Sequence, residues 1–331
     1  MAGSRLELIG EPSGRFLVIG ALAGDLVALD PVRTTVVQGF RPDHDAAVAH
    51  GFRTLTEPDG PADAAVVIMP RSRAAARARV AAAAAVLQPG SPLWIDGQKT
   101  DGIDAMLRDL RALAPVEDVQ SRAHGKIFRV TVPAGQWLPA DWAGAEIRVG
   151  NFVTLPGLFS ADGPDPASVL LAAALPERMP TRIVDLGAGW GWLAAQVLTR
   201  PGVEVVHLVE ADHAALSCAR RNISDPRARF HWADATDFRL PEPVNGVVMN
   251  PPFHVGRAAD PQVGARFIHA AAGLLTGAGR LWMVANRHLP YEAVLAENFT
   301  DVAEIAGDSR FKVISATGAG KTGRRAAPRR R

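Results

Sequence analysis

Arg182-Ile-Val-Asp-Leu-Gly-Ala-Gly-Trp-Gly-Trp192 decides how the chain folds. Its first five residues are a short apolar run of the kind found in parallel sheets, where both faces of a strand are covered. Glycines then stand at 187, 189 and 191. A glycine turn between a buried strand and a helix permits positive φ and brings the backbone close to a ligand. A dinucleotide fold would repeat G-x-G-x-x-G, with its third glycine where Trp192 stands. Here the order is G-x-G-x-G, with an acid, Asp185, two residues ahead of the first glycine. A carboxylate there repels a pyrophosphate and suits the ammonium end of an amino-acid-like ligand. The turn therefore favours S-adenosylmethionine over a nicotinamide cofactor.

Two further acids follow in order. Glu210 closes the next apolar run, 23 residues after Gly187, where a carboxylate can accept both hydroxyls of a ribose. Asp234 follows the third run and can accept from an adenine amine. Taken singly, each acid is equally a helix cap or a turn residue. Placed at successive strand ends, they read as an adenosine site, with Ala188, Ala211 and Ala235 beside them and Gly187 and Gly189 at its turn.

The fourth run delivers Asn250-Pro-Pro-Phe-His254. An exocyclic amine on an aromatic ring is a poor nucleophile because its lone pair is delocalised. The side-chain oxygen of Asn250 and the carbonyl of Pro251 can each accept one amine hydrogen, and the prolines stiffen the loop that carries them. Phe253 offers a face on which a flipped base can stack. A proline-rich turn closing a strand is the plainer reading, and an Asn followed by two prolines directly after an apolar strand weighs against it.

The same plan occurs twice. Arg15-Phe-Leu-Val-Ile-Gly20 matches Arg182-Ile-Val-Asp-Leu-Gly187, and Val86-Leu-Gln-Pro-Gly-Ser-Pro-Leu-Trp-Ile95 matches Leu274-Leu-Thr-Gly-Ala-Gly-Arg-Leu-Trp-Met283. Val66-Val-Ile-Met-Pro70 matches Val247-Val-Met-Asn-Pro251, which sets Met69 against Asn250. Apolar runs alternate with Ala/Leu/Arg-rich helical stretches in both halves, the signature of strand–helix–strand units. In the second half strands are expected at 182–187, 203–210, 229–232, 246–250, 280–285 and 311–316, and helices at 167–175, 192–199, 213–222 and 263–275. The expected organisation is a first copy over 1–135, a linker over 136–154, a second copy over 155–317 and a basic tail over 318–331.

At this point the second half resembles a class I S-adenosylmethionine-dependent methyltransferase, and within that superfamily the RsmC-type ribosomal RNA guanine-N2 methyltransferases. The resemblance rests on Leu155-Pro-Gly-Leu-Phe-Ser160, Val184-Asp-Leu-Gly-Ala-Gly189, Asn250-Pro-Pro-Phe-His254, Val284-Ala-Asn286, Leu289-Pro-Tyr291 and Arg310-Phe-Lys-Val313. It implies an α/β fold of two tandem Rossmann-like domains, each a mostly parallel sheet with helices on both faces, the N-terminal copy degenerate. Gly20-Ala-Leu-Ala-Gly24 accordingly lacks both the acid and the glycine spacing. The resemblance further implies methyl transfer to N2 of a guanine in small-subunit rRNA. Asp185, Gly187 and Gly189 would hold the methionine end of the cofactor, Glu210 its ribose and Asp234 its adenine. Asn250 and Pro251 would position the guanine, with Phe253 stacking on it and Phe159 and Ser160 near the pocket mouth. His254 either touches the substrate or braces the loop. Trp190 and Trp192 put indoles where this family often carries small residues, which bears on the shape of the cofactor pocket.

Composition sets the bounds. The chain has 331 residues, 48% of them hydrophobic and 21% charged, enough for two packed domains and too apolar for disorder. One cysteine, Cys218, excludes a disulfide framework and a multi-cysteine zinc site, and the nine histidines show no ligand spacing, so no metal is expected. No apolar run reaches the roughly 20 residues of a membrane span, and the start of the chain lacks a signal core. A cytoplasmic monomer is expected. The net charge is +2, yet Lys321, Arg324, Arg325, Arg329, Arg330 and Arg331 all lie beyond the last acid, Asp308. Such an arm attracts phosphate, or is simply a solvated terminus. RNA contacts are expected from Arg257, Arg324 and Arg325, with rRNA or the 30S particle as partner. Methylation of adenine N6 or of a protein glutamine is the nearest enzymatic alternative. A non-catalytic RNA-binding or assembly factor is the alternative of another kind.

Overall fold

The apolar runs of each half line up as a seven-stranded sheet. The structure, a computed structural model, describes residues 4–10, 12, 14–252, 254–255, 258–259 and 261–320. They divide into two compact units, 1–147 with 155–157, and 148–154 with 158–331.

In the first unit the strands are β1 (Phe16–Ile19), β2 (Thr34–Val37), β3 (Arg53–Leu55), β4 (Ala64–Ile68), β5 (Pro92–Gln98), β6 (Val116–Arg122) and β7 (Gly125–Thr131). Their order across the sheet is β3-β2-β1-β4-β5-β7-β6. Helices α1 (Ala23–Leu26), α2 (Arg41–Ala49), α3 (Arg73–Ala84) and α4 (Ile103–Arg111) connect them. A short hairpin follows, β8 (Ile147–Val149) with β9 (Phe152–Thr154).

The second unit repeats the plan with β10 (Arg182–Leu186), β11 (Val205–Glu210), β12 (Ala228–Trp232), β13 (Val244–Met249), β16 (Leu275–Asn286), β17 (Asp301–Gly307) and β18 (Phe311–Thr317), in the order β12-β11-β10-β13-β16-β18-β17. Between β13 and β16 two-residue strands β14 (His254–Val255) and β15 (Ala258–Ala259) pair antiparallel. Its helices are α5 (Pro166–Ala174), α6 (Trp192–Leu198), α7 (His213–Asn222), α8 (Pro261–Leu274) and α9 (Glu292–Asn298). In both sheets the first five strands across run parallel, and the sixth, β7 or β18, is reversed and pairs antiparallel with both of its neighbours.

Side-chain alternation explains the layers. Along β10 and β13, Val184, Leu186, Val247 and Met249 enter one core with Phe267 and Ile268 of α8. Ile183 and Val248 enter the other with Leu171 of α5 and Val197 of α6. The first unit likewise has one core on each face of its sheet. This is the tandem α/β architecture expected.

Pairing register refines the match between the copies. Ile19 pairs with Val37 and Leu186 with Val209, so Gly20 corresponds to Gly187, Val18 to Asp185 and Gln38 to Glu210. Val18 then pairs with Val66, and Asp185 with Val248. Val66 therefore corresponds to Val248 rather than Val247, and the residue standing for Asn250 is Ile68, not Met69. Consecutive valines look alike in sequence; backbone pairing tells them apart.

Residues 136–154, expected as a linker, are structured. Trp142 is buried in the first core beneath the Arg77 guanidinium (5.0 Å from the ring), and Trp137 and Leu138 pack against the same core. Indoles in this number carry too much apolar surface to stay in solvent. Strand β17 and helix α9 were not expected. No described helix is long and apolar enough to cross a membrane.

Candidate functional site

Ligands of open α/β sheets bind beyond the carboxyl ends of the strands, and the expected residues of the second unit gather there. Asp185, at the end of the central strand β10, is 1% exposed, and among the described residues its Oδ2 has no hydrogen-bond partner. Burial, reinforced by the charge on Glu210, pushes its carboxyl up to about 8. The turn after it is knitted to β11: the N–H groups of Gly187 and Ala188 both donate to the Val209 carbonyl (2.9 and 3.0 Å). Gly189 has φ of +56°, has no described atom within 4 Å of where a Cβ would stand, and donates its N–H to Glu210 Oε2 (2.7 Å). Gly191 serves packing instead. It starts α6 at φ of +90°, and a Cβ there would lie about 3.0 Å from Ile223 and 3.1 Å from Ala219.

Glu210 also accepts the Asp212 N–H through Oε1 (2.8 Å), and Asp212 caps α7. Burial raises the Glu210 carboxyl above its ordinary value against these two donors. The strand-end layer continues to Ala233, whose N–H donates to the Glu210 carbonyl (3.1 Å). One residue on, Asp234 Oδ1 accepts both the N–H and the hydroxyl of Thr236 (2.8 Å each), and Ala235 is buried. Trp232 holds the stretch after Glu210 by donating Nε1–H to the Ala211 carbonyl (2.8 Å).

Asn250 follows β13 directly, with Pro251 buried behind it. Its Nδ2 donates to Asp165 Oδ2 (2.8 Å) and to Ser168 Oγ (2.9 Å). Asp165 is the N-cap of α5 and accepts the Ser168 N–H (2.9 Å).

The mouth of the cleft is a pinned loop. Phe159 is 63% exposed; Ser160 takes a left-handed conformation (φ +52°) and donates its hydroxyl to the Gly163 carbonyl (2.7 Å). Thr154 Oγ1 donates to the Ala161 carbonyl (2.6 Å), and the Trp190 indole donates to the Phe159 carbonyl (3.1 Å). Asn222 Nδ2 holds Trp190 in turn through its carbonyl (2.8 Å).

One cleft thus brings together Asp185, Gly187, Ala188, Gly189 and Asn250, with Phe159 and Ser160 at its mouth and Trp190 and Trp192 in its wall. Glu210 adjoins it through Gly189, whereas Ala211, Asp234 and Ala235 lie outside its lining, on the next strand ends. Sequence reasoning missed Asp165 and Ser168, which also line it. Asp165-Pro166 ahead of an apolar helix was readable as a cap, but nothing local ties it to Asn250. Phe253, Arg257, Arg324 and Arg325 lie outside the described residues, as does the side chain of His254.

The Methyltransferase small domain family matches residues 150–315. The ribosomal RNA small subunit methyltransferase C of Pseudomonas paraeruginosa is 31% identical over 271 residues, covering 78% of this chain and 80% of the relative. That of Hahella chejuensis is 29% identical over 326 residues, covering 93% and 95%. The chain belongs to the ribosomal RNA small subunit methyltransferase C family. Among solved structures, the T. thermophilus 16S rRNA N2 G1207 methyltransferase (RsmC), in complex with AdoMet and guanosine, matches with a TM-score of 0.79 at 25% identity, covering 94% of this chain and 90% of that one. The likeness to this family extends across both units, not only the one carrying the cleft.

Proposed function

We propose that the second unit transfers the methyl group of S-adenosylmethionine to the exocyclic N2 of a guanine in 16S rRNA. The observation that carries this reading is the meeting of Asn250 with Asp185 and the glycine turn in one cleft. Asp185 offers a buried oxygen with no partner among the described residues, which fits an ammonium group. Glu210 retains lone pairs on both oxygens for ribose hydroxyls, and Asp234 is assigned the adenine amine. When bound, the cofactor supplies an electrophilic methyl on a sulfonium centre.

The chain's own residues supply orientation. Asn250 Oδ1 and the Pro251 carbonyl accept the two hydrogens of N2 and aim its lone pair, while Phe253 stacks on the base. Phe159, exposed beside the cleft, meets RNA around the target. The methylated nitrogen is acidic enough to lose its proton to water, so no general base is assigned, and His254 keeps a bracing or contact role. No metal is required by this chemistry.

In the first unit the corresponding cleft is filled. The Arg79 guanidinium lies against Gly20 and donates to the Ile68 carbonyl (2.9 Å). We assign that unit to support and RNA holding, aided by Arg257 and by Arg324 and Arg325 of the basic tail. The enzyme is read as a cytoplasmic monomer acting on rRNA or the 30S particle.

The test is incubation with methyl-labelled S-adenosylmethionine and small-subunit rRNA, 30S particles or a release factor, followed by nucleoside mapping. N2-methylguanosine is expected, and the position named for the T. thermophilus relative is the first to inspect. Label in N6-methyladenosine or in protein would overturn the assignment. Asn250→Ala should abolish transfer while retaining cofactor binding.

A further inference from the structure

We infer that Asp165 and Ser168 are positioning residues that fix which end of the Asn250 amide faces the substrate; the inference rests on the orientation role proposed for Asn250. The two ends of an asparagine amide are alike in shape and opposite in hydrogen-bonding sense, so a half-turn of the group converts an acceptor into a donor. A carboxylate only accepts. With Asp165 Oδ2 2.8 Å away, the end of Asn250 that faces it has to be Nδ2, because a half-turn would set oxygen against carboxylate oxygen. Ser168 Oγ, 2.9 Å from the same nitrogen, takes the second hydrogen. Both donors of the amide are then spent inside the protein, and Oδ1 is what Asn250 has left to offer.

The site is thereby set to receive a hydrogen-bond donor. An exocyclic amine satisfies it, and a ring carbonyl oxygen does not. Asp165 is itself held in place: it caps the nine-residue α5, whose Leu171 is fully buried, and its Oδ2 also accepts the Ser168 N–H. The start of α5 and the end of β13, more than 80 residues apart in sequence, thus act as one device.

A cap needs only the bond to the Ser168 N–H, so the two roles separate. Asp165→Ala, Asp165→Asn, Ser168→Ala and Asn250→Ala are made in the full chain. Methyl transfer from S-adenosylmethionine to small-subunit rRNA gives kcat and KM, calorimetry gives the cofactor Kd, and the ¹⁵N–¹H spectrum of the Asn250 side chain, identified by its loss in Asn250→Ala, reports the amide directly. Asp165→Ala is expected to lower kcat about 100-fold with KM and Kd within about threefold. Ser168→Ala, which leaves the cap intact, lowers kcat about tenfold without lowering Tm. Asp165→Asn keeps an acceptor oxygen and recovers most of kcat. The two Asn250 amide protons stay distinct in every variant that keeps Asn250, because rotation about an amide C–N bond is slow, but they exchange slowly with water in the native protein and at least about tenfold faster in Asp165→Ala. Solvent exchange of the Asn250 amide protons as fast in the native protein as in Asp165→Ala, unchanged kcat in Asp165→Ala and Ser168→Ala, or equal loss in Asp165→Asn and Asp165→Ala would each overturn the inference. Retained transfer in Asn250→Ala would instead overturn the orientation role, with the spectrum still reporting the hydrogen bonds.

Discussion

Asp185 and Glu210 stand at the carboxyl ends of adjacent strands, and the charge on Glu210 adds to burial in pushing the Asp185 carboxyl up to about 8. Without a cation beside it, Asp185 is therefore mostly protonated at neutral pH. An ammonium group placed against its Oδ2 draws that proton off. Cofactor binding should release a proton below pH 8, and Kd should tighten by up to about tenfold per pH unit between roughly 6 and 8, then level off. Calorimetry in two buffers of different ionisation heat measures the release directly, and Asp185→Asn should abolish it. The stability effect has the opposite sign. The folded value lies above the unfolded 3.8, so the native chain binds more protons than the unfolded one in between, and apo stability falls as pH rises through about 8. Asp185→Asn should gain Tm relative to the native chain between pH 6 and pH 9. A pH-independent Kd would count against Asp185 as the ammonium partner.

Trp190 ties the glycine turn to the loop at the cleft mouth. Its indole donates to the Phe159 carbonyl while its own carbonyl accepts from Asn222. Trp190→Phe keeps most of the buried ring and removes the donor, so about 1 kcal/mol of stability should be lost. Release of the loop carrying Phe159 and Ser160 should raise KM for rRNA more than it lowers kcat. Faster cleavage within residues 158–164 under limited proteolysis is the direct check.

The parts of this site that were legible in sequence share one property: each acts from within a contiguous stretch. Asp185 with its glycines, Glu210 at a strand end and Asn250 ahead of two prolines announce themselves by local spacing. Asp165, Ser168, Asn222 and Trp232 work through partners 21 to 85 residues away, and only the folded sheet brings those together. The same limit applies to the elements. β17 is an edge strand exposed at nearly every position, so no apolar alternation marks it, and α9 has only seven residues directly after Pro290-Tyr291. The fold class was legible because buried parallel strands read as unbroken apolar runs, in both copies, in the same order.

Lys312 gives the Leu289-Pro-Tyr291 and Arg310-Phe-Lys-Val313 stretches a common purpose. Its ammonium, 5% exposed on β18, donates to the Leu289 carbonyl (2.9 Å) and pairs with Glu292 at the start of α9. Lys312→Ala should cost about 2 kcal/mol, since a buried carbonyl loses a charged donor. Glu292→Ala should cost much less, because the Glu292 side chain is mostly in solvent. Urea unfolding of both variants and of the double variant measures the difference. Equal losses would place the stability in the ion pair rather than in the bond to Leu289.

Gln38 in the first sheet holds the place that Glu210 holds in the second, and it shows why the first copy is closed. Its Oε1 accepts the Phe40 N–H (3.0 Å), as Glu210 accepts the N–H of Asp212, also two residues on. Its other end reverses sense: Nε2 donates to the Ala21 carbonyl (2.8 Å), where Glu210 accepts from Gly189. The turn after β1 thus bends its carbonyl toward the strand end rather than its N–H. Gln38→Glu sets a carboxylate against that carbonyl in a position 4% exposed, and should cost about 3 kcal/mol. It should create no second cofactor site, because Val18 stands for Asp185 and Arg79 fills the space beside Gly20. Calorimetric titration with S-adenosylmethionine should give one site per chain in the native protein, in Gln38→Glu and in Arg79→Ala. A stoichiometry of two in any of them would mean that the first cleft still opens.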